Sequence, residues 1–173
     1  MDDTKQLEVF SEVCARLNVP WDLTGIHWGR GVSWDGRVMN GRIRWGQPAD
    51  MDDLWHELGH WLLCEPEYRR YIGFGMGPAG DMYYDRVGDG PNVSQVDEGD
   101  ASAVGILMQS VLSLQAAEEH ATIHNWDEYD YDRIGESALS QLNRYWLGAP
   151  FRSRQIGAQA MQIVREVRDG RHP

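Results

Sequence analysis

Apolar side chains recur at helical spacing through residues 5–17, at Leu7, Val9, Phe10, Val13, Cys14 and Leu17, and the spacing predicts a first amphipathic helix that Asn18-Val19-Pro20 stops. From Thr24 to Trp45 the pattern changes to short pieces rich in Val, Ile and Trp, punctuated by the tight-turn dipeptides Asp35-Gly36 and Asn40-Gly41. A small antiparallel sheet is expected there. Its last strand would be Gly41–Trp45, with Ile43 on one face and Arg42 and Arg44 on the other. Pro48-Ala49-Asp50 opens the next helix, with Asp50 as N-cap and Asp52 and Asp53 facing the positive helix end. That helix runs to about Cys64, because Glu65 precedes Pro66 and the position before proline disfavours helical geometry. Residues 72–93 mix glycines and aspartates without a period, a long loop of the kind that often carries function. A second long helix is expected from Asp97 to about His124, followed by amphipathic helices over residues 131–147 and 153–168. The predicted fold class is α+β, mostly helical, with one small antiparallel sheet ahead of the helix at 50–64.

Composition narrows the picture. A chain of 173 residues with 42% hydrophobic and 25% charged residues can bury a core without covalent staples, and residues 1–173 are expected to form a single domain. The two cysteines, Cys14 and Cys64, have no metal-binding spacing and fit reduced thiols better than a disulfide scaffold. The start of the chain, Met1-Asp2-Asp3-Thr4-Lys5, has no basic segment followed by an apolar one, and no apolar run approaches the ~20 residues that span a bilayer. A cytoplasmic protein without a membrane partner is expected. The net charge of -11 argues against nucleic acid held through a basic face.

The chemistry concentrates in Leu54-Trp55-His56-Glu57-Leu58-Gly59-His60-Trp61-Leu62, an HExxH pattern inside the helix at 50–64. At ~100° per residue, His60 falls about 40° round from His56 and one turn further on, so two imidazoles can share one tetrahedral Zn2+ ion. Glu57 sits beside them as the general base toward a water on that ion. Taking His56 as zero, Leu54, Leu58, Trp61 and Leu62 fall at about 160°, 200°, 140° and 240°, so the apolar stripe lies opposite the His/Glu face.

A catalytic zinc ion takes a third protein ligand. Trp61-Leu62-Leu63-Cys64-Glu65-Pro66 supplies no further histidine, which leaves a carboxylate from elsewhere. Glu98, in Val96-Asp97-Glu98-Gly99-Asp100-Ala101-Ser102, is the first choice, being in a helical first turn followed by small residues that let another helix approach. The alternative role for Asp97, Glu98 and Asp100 is complementing the helix dipole. Asp81, in Ala79-Gly80-Asp81-Met82-Tyr83-Tyr84, is the second choice, and Tyr83 or Tyr84 is a candidate for steadying an oxyanion. His120 and His124 form an i,i+4 pair, with Glu119 just before His120. On a continuous helix, however, His120 would lie about 33 Å from Glu98, which makes a surface pair the expected account.

HELGH at residues 56–60, followed by Glu98-Gly99-Asp100-Ala101 at a helix start, resembles the compact gluzincins, and most closely the ImmA/IrrE type of small regulatory metallopeptidase, over about residues 38–112. The resemblance implies a zincin-like metallopeptidase domain with zinc on His56, His60 and Glu98 and with Glu57 catalytic. Two features depart from the pattern: the long separation of His60 from Glu98, and the only partial match of Ser102–Met108 to the usual small and apolar run.

The expected function is zinc-dependent hydrolysis of a protein or peptide substrate, which could pair as an added strand along residues 41–46. Two rivals stand beside it: a non-proteolytic zincin-fold binding or regulatory module, and an acidic interaction protein. The sequence does not specify an oligomeric state.

Overall fold

A computed structural model describes residues 2–22, 43–44, 51–66, 98–123 and 136–171. The first helix, α1 (Asp3–Arg16), begins two residues before its apolar period because the Asp2 carboxylate accepts from the Lys5 backbone N–H at 2.9 Å. It ends where Asn18 takes a positive φ of 53° and Val19 N–H returns to the Cys14 carbonyl at 2.8 Å. Pro20 then leads into β1 (Trp21–Asp22), which pairs with β2 (Ile43–Arg44) in parallel, Trp21 opposite Ile43 and Asp22 opposite Arg44.

This pairing corrects the α+β expectation. Among the described residues the fold is helical, and its strand pairing is a two-residue parallel contact rather than a small antiparallel sheet. Asp-Gly and Asn-Gly dipeptides report local reversals. They carry no information about a distant partner, and here Trp21, placed by the end of α1, supplies the partner for Ile43. The rest of the expected sheet, including both turn dipeptides, lies outside the described residues, as do the proposed N-cap Asp50 and the loop at 72–93.

Four further helices follow α2 (Met51–Leu63): α3 (Glu98–Ser110), α4 (Leu114–Ile123), α5 (Ala138–Gly148) and α6 (Phe151–Arg168). The expected long helix from Asp97 to His124 is therefore broken. Leu112 and Ser113 N–H both return to the Gln109 carbonyl, and the Ser113 hydroxyl caps α4 by accepting from Ala116 N–H at 3.2 Å. The helix expected over 131–147 starts only at Ala138, because Ser137 caps it from outside by accepting from Ser140 N–H. Glu118 of α4 adds a second cap, its carboxylate accepting from Ala138 N–H at 2.6 Å and Leu139 N–H at 3.1 Å.

α3 is buried on every side from Gly99 to Gln109, polar positions included. Ala101, Val104 and Met108 pack into a core with Val9, Phe10 and Val13 of α1, Leu54, Trp55 and Leu58 of α2, and Ala160 and Val164 of α6. Ala103, Ile106 and Leu107 face a second cluster with Ala117, Ala121 and Leu142. Phe10 is gripped edge-on by Trp21 and Trp55, with ring centroids 5.2 and 5.1 Å away. Arg152 of α6 closes the C-terminal end of α2, donating to the Leu63 carbonyl at 3.0 Å and pairing with Glu65 at 3.0 Å. Cys14 and Cys64 are buried and form no disulfide, and burial pushes the Cys14 thiol up. Among the described residues no helix is long and apolar enough to cross a membrane.

Candidate metal centre

α2 and α3 run antiparallel in close contact. A Cβ on Gly59 would lie 2.2 Å from the Ala101 carbonyl oxygen, and one on Gly105 would lie 2.7 Å from the Trp55 carbonyl oxygen. Small residues at the start of α3 thus permit the close helix approach expected of them. Because residue numbers rise on one helix as they fall on the other, the faces can be matched level by level: Trp55 and His56 with Gly105, and Gly59 with Ala101.

His56 and His60 project from α2 one turn apart, and their Nε2 atoms lie 2.9 Å from each other. The rings meet edge to face, with centroids 4.6 Å apart and planes at 83°. Two imidazoles on one tetrahedral zinc ion, with Zn–N of ~2.0–2.1 Å, place their nitrogens about 3.3 Å apart. The observed spacing is a few tenths of an ångström short of that. When neither carries a metal, one Nε2–H donates to the other.

The opposite side of the His56 ring is fixed as well. Its Nδ1 lies 2.9 Å from the Ser102 hydroxyl oxygen of α3. With Nδ1–H donated to Ser102, the His56 Nε2 keeps its lone pair for a ligand, the arrangement that orients metal-binding histidines generally.

The environment is not the solvated one that an opposed apolar stripe alone suggests. Leu54, Leu58 and Trp61 are buried as expected, but so are Trp55, Glu57 and His60, the last only 2% exposed. α2 is covered on its His/Glu side too, with His56 half-buried. Burying an imidazole and a carboxylate on adjoining turns carries a desolvation cost that ordinary core packing does not require.

Glu98 is the first residue of α3, four residues before Ser102, about one helical turn. Continuing the antiparallel match puts its backbone level with Leu62, about 3 Å along the axis past His60 at ~1.5 Å per residue. The side chain of Glu98 lies outside the described residues, as do Asp81, Tyr83, Tyr84, Asp97 and His124. Among the described residues no third His, Cys, Asp or Glu joins the histidine pair in a metal-sized group.

Three residues turn out differently from the sequence reading. His120 is no surface residue: it is fully buried, with Nδ1 at 2.8 Å from Gln109 Oε1. The break at residues 111–113 makes the continuous-helix distance to Glu98 inapplicable. The imidazole instead sits near Asp52, at the opposite end of the α2–α3 pair from Glu98. Asp100 is more than a dipole partner, since it is buried and accepts from Tyr145 Oη at 2.9 Å and Ser153 Oγ at 2.8 Å, tying α3 to α5 and α6. Ser102 entered the sequence reading only as a small residue, although its place four residues after Glu98 is the signal that could have singled it out.

Comparison with protein-family models, with curated proteins and with solved structures returns no match for this chain.

Proposed function

We propose that the chain is a zinc-dependent hydrolase acting on a peptide bond, with the metal held by His56, His60 and Glu98. The observation that carries this reading is the convergence of the two Nε2 atoms at 2.9 Å while Ser102 holds the far side of the His56 ring. A bound zinc ion would supply electrostatic activation, lowering the pKa of water at the site toward ~7.

The remaining chemistry belongs to side chains of this chain. Glu57, adjacent to His56 and buried, accepts a proton from the attacking water as its oxygen bonds to the peptide carbonyl carbon. The same carboxyl then gives that proton to the leaving amine as the C–N bond breaks, so Glu57 ends as it began. Ser102 keeps His56 in one tautomer through the cycle. Buried cysteines without a disulfide at Cys14 and Cys64 fit a reducing, cytoplasmic setting for this activity.

Elemental analysis of the purified chain tests the metal, with one zinc per chain expected. A chain that is zinc-free and refuses added zinc sinks the reading. Glu57→Gln tests the chemistry: hydrolysis of a peptide library is lost while zinc stays. Retained zinc in a parent chain that cleaves nothing would instead favour a metal-bearing binding module.

A further inference from the structure

The first four helices each send one polar side chain to a common buried point: Gln6 from α1, Asp52 from α2, Gln109 from α3 and His120 from α4. Gln6, Gln109 and His120 are 3%, 1% and 0% exposed. The proton positions follow from the donor inventory. A carboxylate only accepts, so the Gln109 amide nitrogen faces Asp52 Oδ1, at 2.7 Å, and sends its other hydrogen to Gln6 Oε1 at 3.4 Å. Gln109 Oε1 is thereby left to accept from His120 Nδ1–H at 2.8 Å.

The site needs something that fixes the register of α2 against α3. Their contact is lined by Gly59, Ala101 and Gly105, small residues that allow a close crossing but make no directional bond between side chains. The Asp52–Gln109 bond is directional. A slide of one turn, about 5.4 Å, would break it and strand Gln109 and His120 in an apolar interior. Asp52 stands one turn before His56 on α2, and Gln109 stands seven residues after Ser102 on α3. The link therefore closes one end of the same helix-to-helix seam in which Ser102 meets His56.

We infer that Gln109 and Asp52, backed by His120 and Gln6, are positioning residues that lock the register of α2 on α3 and so hold His56 against Ser102. Its consequence for zinc rests on the metal reading above, whereas its consequence for the His56 ring does not.

Substitutions at Asp52 separate this role from complementing the helix dipole. Asp52→Asn removes the charge but keeps an oxygen for the Gln109 amide, while Asp52→Ala removes both. The measurements are the imidazole 15N resonances of His56 in the metal-free full-length chain, and zinc affinity by competition with a chromophoric chelator. A register lock requires Asp52→Ala to shift the His56 resonances and weaken zinc by about tenfold, the size expected for residues that orient ligands, with Asp52→Asn matching the parent in both. The proposal is overturned if Asp52→Ala leaves the resonances unmoved, or if Asp52→Asn behaves as the alanine variant does. Should Asp52→Ala not fold, Asp52→Asn decides alone: parent-like resonances support the lock, and shifted ones overturn it. A parent chain that takes up no zinc defeats the metal reading, and the resonances still decide the lock.

Discussion

Gly59 meets the backbone of Ala101 so closely that a Cβ on Gly59 would stand 2.2 Å from the Ala101 carbonyl oxygen. The closeness has a chemical consequence, because Ser102, the next residue, comes within hydrogen-bonding distance of His56 only if α2 and α3 cross this tightly. The HExxH spacing places two histidines on one face. The missing side chain at Gly59 lets a second helix reach them.

Gly59→Ala should therefore destabilise the protein by about 2 kcal/mol, an overpacking cost of ~3 kcal/mol at a rigid backbone contact less the ~1 kcal/mol that alanine gains over glycine in a helix. Gly148→Ala is the counterpart, since a Cβ there meets nothing within 4 Å and should stabilise by up to about 1 kcal/mol. Denaturant unfolding of the two variants checks the contrast. Equal stabilities would mean that α2 and α3 do not cross this closely at Gly59.

Asp100→Ala should cost about 2–3 kcal/mol, because it deprives the Tyr145 and Ser153 hydroxyls of a charged acceptor. Tyr145→Phe removes one of these bonds and should cost less. The double variant should fall short of the sum, as expected for residues sharing one network. Zinc affinity of folded Asp100→Ala should stay within a few fold of the parent, since its carboxylate faces α5 and α6. A large loss of zinc with unchanged stability would reverse this assignment.

The helices were legible where a local signal marks them. Asn18-Val19-Pro20 ends α1, and the apolar period of α6 appears in the sequence almost to its last residue, whereas the Asp2 cap lies ahead of the apolar period that marks α1. The break between α3 and α4 was hidden because Leu107 to Ala117 keeps an apolar rhythm straight through Ser113, whose capping role shows only once the chain turns. The strand pairing failed for a different reason: alternation and turn dipeptides describe a segment's own geometry, whereas Ile43 finds its partner across the chain at Trp21. In the site, the pairing of His56 with His60 follows from helical periodicity alone. Ser102 and Gln109 depend on which face of α3 meets α2, and a helix that is buried all round, with polar residues on more than one face, does not announce that face.

Glu118→Ala should lower stability by about 1 kcal/mol, the usual worth of a helix cap, since the Glu118 carboxylate holds the Ala138 and Leu139 N–H groups at the start of α5. Glu118→Gln, which keeps an acceptor but loses the charge that favours a helix N-terminus, should fall between. Thermal melts of the three proteins at low salt give the order. Equal melting temperatures would show that Ser137 caps α5 without help.

Ser102→Ala should weaken zinc binding by about 10–100-fold with little loss of stability, as removal of a partner that orients a metal-binding histidine does. Ser102→Thr, which keeps the hydroxyl, should restore part of that affinity if the added methyl fits. Chelator competition measures all three. Zinc binding by Ser102→Ala equal to the parent would leave the Ser102–His56 contact structural.

The last expectation concerns the third ligand. Glu98 stands about one turn before Ser102 in the sequence of α3, with its backbone level with Leu62 just past His60. A residue that only complements a helix dipole contributes ~0.3–1 kcal/mol to stability and leaves a neighbouring metal almost untouched. A ligand differs: without it the ion keeps two protein nitrogens. Glu98→Ala should thus weaken zinc by more than the about 10–100-fold assigned to an orienting partner, while Asp81→Ala and His124→Ala bind it like the parent. Glu98→Gln should also bind poorly, because a neutral amide replaces the anionic oxygen. If Asp81→Ala strips the metal and Glu98→Ala keeps it, the ligand comes from the glycine-rich segment, and the acidic start of α3 serves the helix dipole alone.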